Sequence, residues 1–387
     1  MQAKFNRASN IITWNSWPLK FLGLWPSKVN DFLYIFFTVY MLIYYTMAVR
    51  HLIKQFGHLG NIVDNLTDNI LLSMILGKMI ILRRSCGIMA KFVKAIKDDF
   101  SINTYSSVQE TMAYLRYNEI ALVFTKVSMG TTIITAISYY LRMFIANWRQ
   151  FMSGNYSYEL PYPAYFFEIK DTTSYTCVCI YLTLMVPIII CGYAGADAYL
   201  LSMILHVCGQ FAALTCKVNN LLKNHKNYRR NFTNIVLRHQ HLITLAEILE
   251  NNFNYIFLQQ IVGTVFILCL TSLNMLANSE FGDNTNFIVF LLYTSCVFMT
   301  IFGYCYIGDC LITESSGLQD AFYNIKWYKN PPQHTRLISI CMTRAEKPLT
   351  LTAGKFCILS LSTFTNVSFI SGFYFLCMFL FIILLLF

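Results

Sequence analysis

Seven stretches of this chain are long and apolar enough to cross a lipid bilayer, and nothing else in the sequence restricts its fold as much. They are Asp31–Val49, Leu66–Leu82, Ile120–Ile145, Ser174–Leu205, Phe253–Leu276, Phe287–Ile312 and Leu351–Phe387. A helix of about 20 apolar residues reaches across the hydrocarbon. Inside it every backbone N–H and C=O needs a protein partner, so a spanning segment is a helix or part of a closed barrel. The period-two alternation of barrel strands is missing. The expectation is an all-α, polytopic membrane protein with seven transmembrane helices. Composition agrees, since only 12% of the residues are charged, against roughly 25% in soluble domains.

The cations orient the chain. Of the 29 Lys and Arg, twenty-one lie in the N-terminal segment and in the second, fourth and sixth connections, and five lie on the opposite side. The positive-inside rule then puts the N-terminus in the cytosol and the C-terminus outside. Such a topology is inverted relative to a G-protein-coupled receptor. Two sequons fall outside on this map, Asn155-Tyr-Ser and Asn65-Leu-Thr, and both are candidate glycan acceptors.

The organisation follows. Residues 1–30 form a cytosolic or interfacial N-terminus, where Asn15–Pro26 reads as an interfacial stretch broken by prolines and anchored by tryptophans. Its first thirty residues hold no continuous apolar core of a signal peptide, so insertion is expected to rely on the first span. Residues 31–312 hold six spans; 207–252 form a cytosolic helical connection, 313–349 a cytosolic helix (Thr313–Tyr328) and linker, and 350–387 the seventh span. Within the connection Leu242, Leu245 and Leu249 recur at helical spacing, a face that must pack on something. No internal repeat points to a secondary transporter. The seven His and thirteen Cys make no HExxH or CxxC spacing, and no convergent carboxylates point to an enzyme; no cofactor or metal is implied.

Five segments in order carry a family resemblance: DAYLLSMILHVCGQF (Asp197–Phe211), RHQHLITLAEILENNF (Arg238–Phe253), GYCYIGDCLITES (Gly303–Ser315), FYNIKWY (Phe322–Tyr328) and PLTLTAGKFCILSLSTF (Pro348–Phe364). Together they resemble insect odorant receptors, in the style of those of bees, ants and wasps. The gustatory branch usually carries a TYxxxxxQF-type motif in the last span, where this chain has LTAGKFCILSLSTF. The resemblance implies an odorant-gated, non-selective cation channel, a heterotetramer with the odorant receptor co-receptor, in the plasma membrane of olfactory neuron dendrites. No nucleic acid is implied.

Functional residues can be placed on that frame. In the last span Thr363, Asn366, Ile370, Tyr374 and Cys377 share one helix face, and with the resemblance this stripe is expected to line the pore. Its lack of charge suits weak ion selectivity. The outer halves of the second, third, fourth and sixth spans are expected to hold a volatile through Met74, Tyr139, Tyr140, Met143, Cys179, Leu182, Met185 and Tyr293, an apolar and aromatic set. Leu242, Leu245 and Leu249 are expected to anchor subunits together. Lys78 and Arg83 read as residues that snorkel to the cytosolic surface, whereas Asp197 is too deep and needs a partner within the bundle.

Overall fold

The computed structural model describes residues 2–54, 59–99, 105, 107–153, 160–162, 171–221, 228–279, 284–325, 327–329 and 332–369. Its helices are α1 (Gln2–Phe21), α2 (Asp31–Lys54), α3 (Leu59–Asp99), α4 (Val108–Met152), α5 (Thr172–Ile190), α6 (Ala196–Asn219), α7 (Tyr228–Ser279), α8 (Asn284–Asn324) and α9 (Pro332–Ala345). A tenth, α10, begins at 361 and is described to 369. Among the described residues six segments are long and apolar enough to cross a membrane: Asp31–Lys54, Asn65–Asp99, Val108–Met152, Thr172–Asn219, Tyr228–Leu273 and Ile288–Asn324. The seventh expected span is described as far as residue 369, and 370–387 lie outside the described residues.

Helix α6 is the axis of the bundle. Every residue from Cys191 to Phe211 is buried, because α4 and α8 pack along it and α7 closes a further side. A helix with apolar residues on every side belongs in such a position, and its few polar residues, Asp197, Ser202, His206 and Gln210, are buried with them. Helix α2 is the opposite case: Met41, Tyr44 and Ala48 face inward, while Phe32, Ile35, Phe36, Val39, Leu42 and Ile43 stand exposed. An exposed apolar row of this kind is what a lipid-facing surface requires. Two reciprocal hydrogen bonds pin α2 to α5, Tyr40 donating to the Tyr181 carbonyl at 2.8 Å and Tyr181 to the Tyr40 carbonyl at 3.0 Å.

Between α5 and α6 the chain makes one π-helical turn, Cys191–Gly195. Its two glycines let neighbours approach closely. A Cβ at Gly192 would lie 2.6 Å from Ile75 Cγ2 of α3, and one at Gly195 would lie 2.5 Å from Pro18 Cβ of α1. Pro18 lies inside α1, packed against Gly195. The expected interfacial stretch is a continuous helix to Phe21 that packs on α4, α6 and the π turn, with Leu19, Leu22, Leu24 and Trp25 buried and Trp14 and Trp17 exposed.

One buried ion pair crosses this axis. Lys78 Nζ of α3 lies 2.6 Å from Asp197 Oδ1 of α6, both side chains fully buried. Tyr304 of α8 donates to the same Asp197 oxygen at 2.6 Å, and the Lys78 ammonium lies 4.3 Å from the centre of the Tyr193 ring. Lys78 therefore does not snorkel, since its counter-ion is inside the bundle. Arg83, one turn and a half nearer the end of α3, does reach the surface, where it pairs with Asp31 at 2.5 Å.

Three other expectations are corrected. The separate helix at Thr313–Tyr328 is the end of α8, which runs unbroken to Asn324, and the linker after it contains α9, whose buried Ile338, Cys341 and Ala345 form one face. Pro332 occupies its first position, where no N–H is needed. The seventh span does not start at 350 or 351. Thr352–Ala353 pairs antiparallel with Cys357–Ile358, and Gly354 and Lys355 both have positive φ, 58° and 64°, the turn conformation that keeps such a hairpin twisted correctly. Glu250 of α7 accepts hydrogen bonds from the Thr352 N–H at 2.8 Å and from its hydroxyl, and so fixes the hairpin to the bundle.

Removing one member of a buried ion pair leaves the other uncompensated, at a cost of about 3–5 kcal/mol. Lys78→Ala is expected to lower the melting temperature of the purified protein sharply, whereas the double change Lys78→Met with Asp197→Leu regains most of the loss. Equal melting temperatures for wild type and Lys78→Ala would show the pair to be dispensable.

Candidate functional site

A cavity of about 60 Å³ lies in the half of the bundle away from the hairpin. Such a volume holds on the order of five water-sized groups, so a larger guest must push side chains aside. Tyr44 of α2 closes one side, and Asp68, Leu71 and Leu72 come from α3. Thr132, Thr135, Ala136 and Tyr139 of α4 form a second wall, Ile189 and Tyr193 a third, and Tyr293, Cys296 and Val297 of α8 a fourth. Tyr162, from the connection between α4 and α5, completes the lining.

The tyrosines build the shape. Tyr139 stacks on Tyr162 with ring centres 5.2 Å apart and meets Tyr293 edge-on at 6.4 Å. Aromatic pairs in these geometries add about 0.5–1.5 kcal/mol beyond area burial, so the wall is firm without being sealed by hydrogen bonds. Burial raises the Tyr162 phenol well above its ordinary range. Tyr193 closes the inner end, receiving a hydrogen bond from Gln260 at 3.3 Å while Lys78 sits on its ring. The cavity therefore shares a residue with the buried ion pair.

Most polar atoms here are already engaged. Thr132 and Thr135 return their hydroxyls to the carbonyls of Ser128 and Thr131, at 2.8 and 2.9 Å. Tyr293 differs: it is 5% exposed, and its hydroxyl has no hydrogen-bond partner among the described residues.

The expected ligand residues divide. Tyr139 and Tyr293 line the cavity. Tyr140 packs edge-on behind Tyr162, with ring centres 6.1 Å apart. Met74 fills the notch left by Gly263 of α7, Leu182 and Met185 are core residues, and Met143 and Cys179 are half-buried away from the lining. Sequence reasoning missed Asp68, an acid inside an apolar run and so a functional candidate by default, and Tyr44 and Tyr162, which carry no distinguishing signal.

Of the pore stripe, Thr363 is half-buried and donates to the Ile358 carbonyl at 2.6 Å, and Asn366 is exposed; Ile370, Tyr374 and Cys377 lie outside the described residues. Leu242, Leu245 and Leu249 are 0%, 7% and 1% exposed within this one chain. Their face is already used to hold α7 in the bundle, which corrects the expectation that it meets another subunit directly. Asn65 is 1% exposed, and its amide donates to the Ala48 carbonyl at 3.1 Å and accepts from Asn69 at 2.5 Å. A buried, bonded amide on a helix cannot be a glycan acceptor, so that expectation also falls. Asn155 lies outside the described residues.

Among the described residues six long apolar helices surround a tyrosine-walled cavity, the architecture of a polytopic membrane protein. The model of the 7tm Odorant receptor family matches residues 60–372, and the chain belongs to that family. Odorant receptor 2a of Drosophila melanogaster is 26% identical over 224 residues, 54% of this chain and 56% of that protein. The Odorant receptor coreceptor of Ooceraea biroi is 26% identical over 140 residues, 34% of this chain and 27% of that one. The chain thus spans about half the length of the fly relative. The insect olfactory receptor OR5 from Machilis hrabei, solved in complex with eugenol, superposes with a TM-score of 0.78 at 15% identity, over 96% of this chain and 98% of that one. That likeness shows a shared fold.

Asn65→Gln is expected to leave the electrophoretic mobility of the expressed protein unchanged, before and after glycosidase treatment. A mobility shift on that substitution would place Asn65 outside the bundle.

Proposed function

We propose that the chain is the odorant-sensing subunit of a ligand-gated, non-selective cation channel, assembled as a heterotetramer with the odorant receptor co-receptor. The observation that carries this reading is the tyrosine-walled cavity between the helices of the bundle, in a chain of the odorant receptor family. The fold it shares with a receptor solved with eugenol supports the same reading. The basic asymmetry supports a cytosolic N-terminus, which places the cavity in the outer half and the hairpin and α9 in the cytosol. The site of action is the plasma membrane of olfactory neuron dendrites, with Asn155 as the glycan acceptor.

A volatile in the cavity repacks Tyr139, Tyr162 and Tyr293 and biases the bundle toward an open state; only a difference in affinity between the two states can do so. The last span lines the pore through Thr363 and Asn366, and through Ile370, Tyr374 and Cys377 beyond them. Leu242, Leu245 and Leu249 hold the cytosolic region rigid from within. Contact with a neighbouring subunit falls to the exposed side of the same region, where Leu237, Leu337 and Ile340 stand out.

Current recording with the co-receptor tests the reading. Tyr139→Ala is expected to shift the odorant dose–response curve by tenfold or more relative to a direct co-receptor agonist. In Asn366→Cys, a water-soluble thiol reagent is expected to alter the odorant-evoked current. Odorant responses that require a G protein would reject the channel reading, and an inert Asn366→Cys would remove α10 from the ion path.

A further inference from the structure

We propose that the cavity selects volatiles bearing a hydroxyl group, held between the carboxyl group of Asp68 and the hydroxyl of Tyr293. This rests on the cavity being the odorant site and deepens that reading by naming the ligand class. The first observation is the buried Tyr293 hydroxyl, without a hydrogen-bond partner among the described residues and on the cavity wall. A buried polar group left unpaired is costly, and here a guest is the natural partner. The second is Asp68, half-buried in the same wall. It has interactions elsewhere, but a carboxyl group offers two oxygens and several acceptor positions.

The two groups ask for different things. Asp68 accepts a hydrogen bond, and Tyr293 has one to donate. A hydroxyl supplies both halves, donating to Asp68 while accepting from Tyr293. An ether, aldehyde or ester can only accept, so it makes the Tyr293 bond and forgoes one to Asp68, and a hydrocarbon makes neither.

A protonated amine would also find a carboxyl group and aromatic rings, the usual elements of a cation site. The surroundings argue against it. Two of the lining rings already carry a cation on one face, Lys78 on Tyr193 at 4.3 Å and Arg142 on Tyr139 at 5.1 Å. An ammonium ligand would be brought toward both. A neutral hydroxyl meets no such repulsion, and the cavity's other lining, Leu71, Leu72, Ala136, Ile189 and Val297, suits a hydrocarbon body.

The test uses matched ligands of one skeleton, 1-hexanol, hexyl methyl ether, hexanal, hexane and hexylamine, with the benzyl series beside them. The full chain is co-expressed with the co-receptor. Two readouts are taken: evoked current, and ligand-induced thermal stabilisation of the purified complex. The alcohol makes a hydrogen bond to the carboxyl group that its ether cannot, so it is expected to act at concentrations about tenfold or more below the ether. Tyr293→Phe and Asp68→Asn should each narrow that gap, with cell-surface expression checked for both. An alcohol no better than its ether in both skeletons overturns the proposal, as does a preference that survives both substitutions. An amine that outperforms the alcohol and is lost in Asp68→Asn replaces it with a cation site. Alcohol-selective stabilisation without evoked current keeps this inference and rejects the channel reading; current without any such preference does the reverse.

Discussion

The pair between Lys78 and Asp197 sets the terms for the rest of the bundle. Two full charges in an apolar interior are tolerated only when each satisfies the other and the remaining valences find partners. Meeting that condition fixes α3 against α6 at the level of the pair and brings Tyr304 of α8 onto the same carboxylate. Three helices from distant parts of the chain thereby have one permitted register. One Asp197 oxygen, Oδ2, remains without a partner among the described residues, so the arrangement is held by necessity and is not fully quenched. Non-directional packing of Leu, Ile and Val would fill the same space without dictating which residues meet.

The π turn converts this register into a site. Without its extra residue Tyr193 and Asp197, four apart, would follow an unbroken α-helix from α5 into α6. With it, Tyr193 lies over the Lys78 ammonium and still reaches the cavity, while Gly192 and Gly195 admit α3 and α1. Insertions of this kind occur at functional positions because they re-aim side chains at small cost. Anything that moves Tyr193 from the cavity side therefore acts on the cation beneath it.

Much of this was legible in the residues alone. Six of the spans were, because hydrocarbon thickness leaves little freedom in length. So was the need of Asp197 for an internal partner. The partner's identity was not: Lys78 sits near a helix end where snorkelling satisfies a lysine equally well, and only the packing of α3 on α6 decides between them. Helix ends were poorly legible, since α8 and α3 continue as helices after their apolar runs finish and no residue marks the membrane surface. The hairpin at Thr352–Ile358 was hidden by an apolar composition that a span shares, although Gly354 was a visible signal. In the cavity, Met185 and Leu182 differ from Leu71 and Ile189 only by helix rotation, which apolar content does not report. Tyr162 comes from a connection, and no periodicity locates it.

The length of the helices has a mechanical side. Helix α4 has 45 residues and α7 has 52, about 68 and 78 Å at 1.5 Å per residue, more than twice the roughly 30 Å of hydrocarbon. No proline interrupts either one. Each is thus a stiff beam longer than the hydrocarbon is thick, and α4 has one arm lining the cavity through Thr132, Thr135, Ala136 and Tyr139. A tilt of about 5° about a point near the ion pair carries an end some 40 Å away through about 3–4 Å. Rearrangements too small to register as a change of fold around Tyr139 become displacements of side-chain size at the far end. The amplification is geometric, so it needs no chain of intermediate contacts to pass it along.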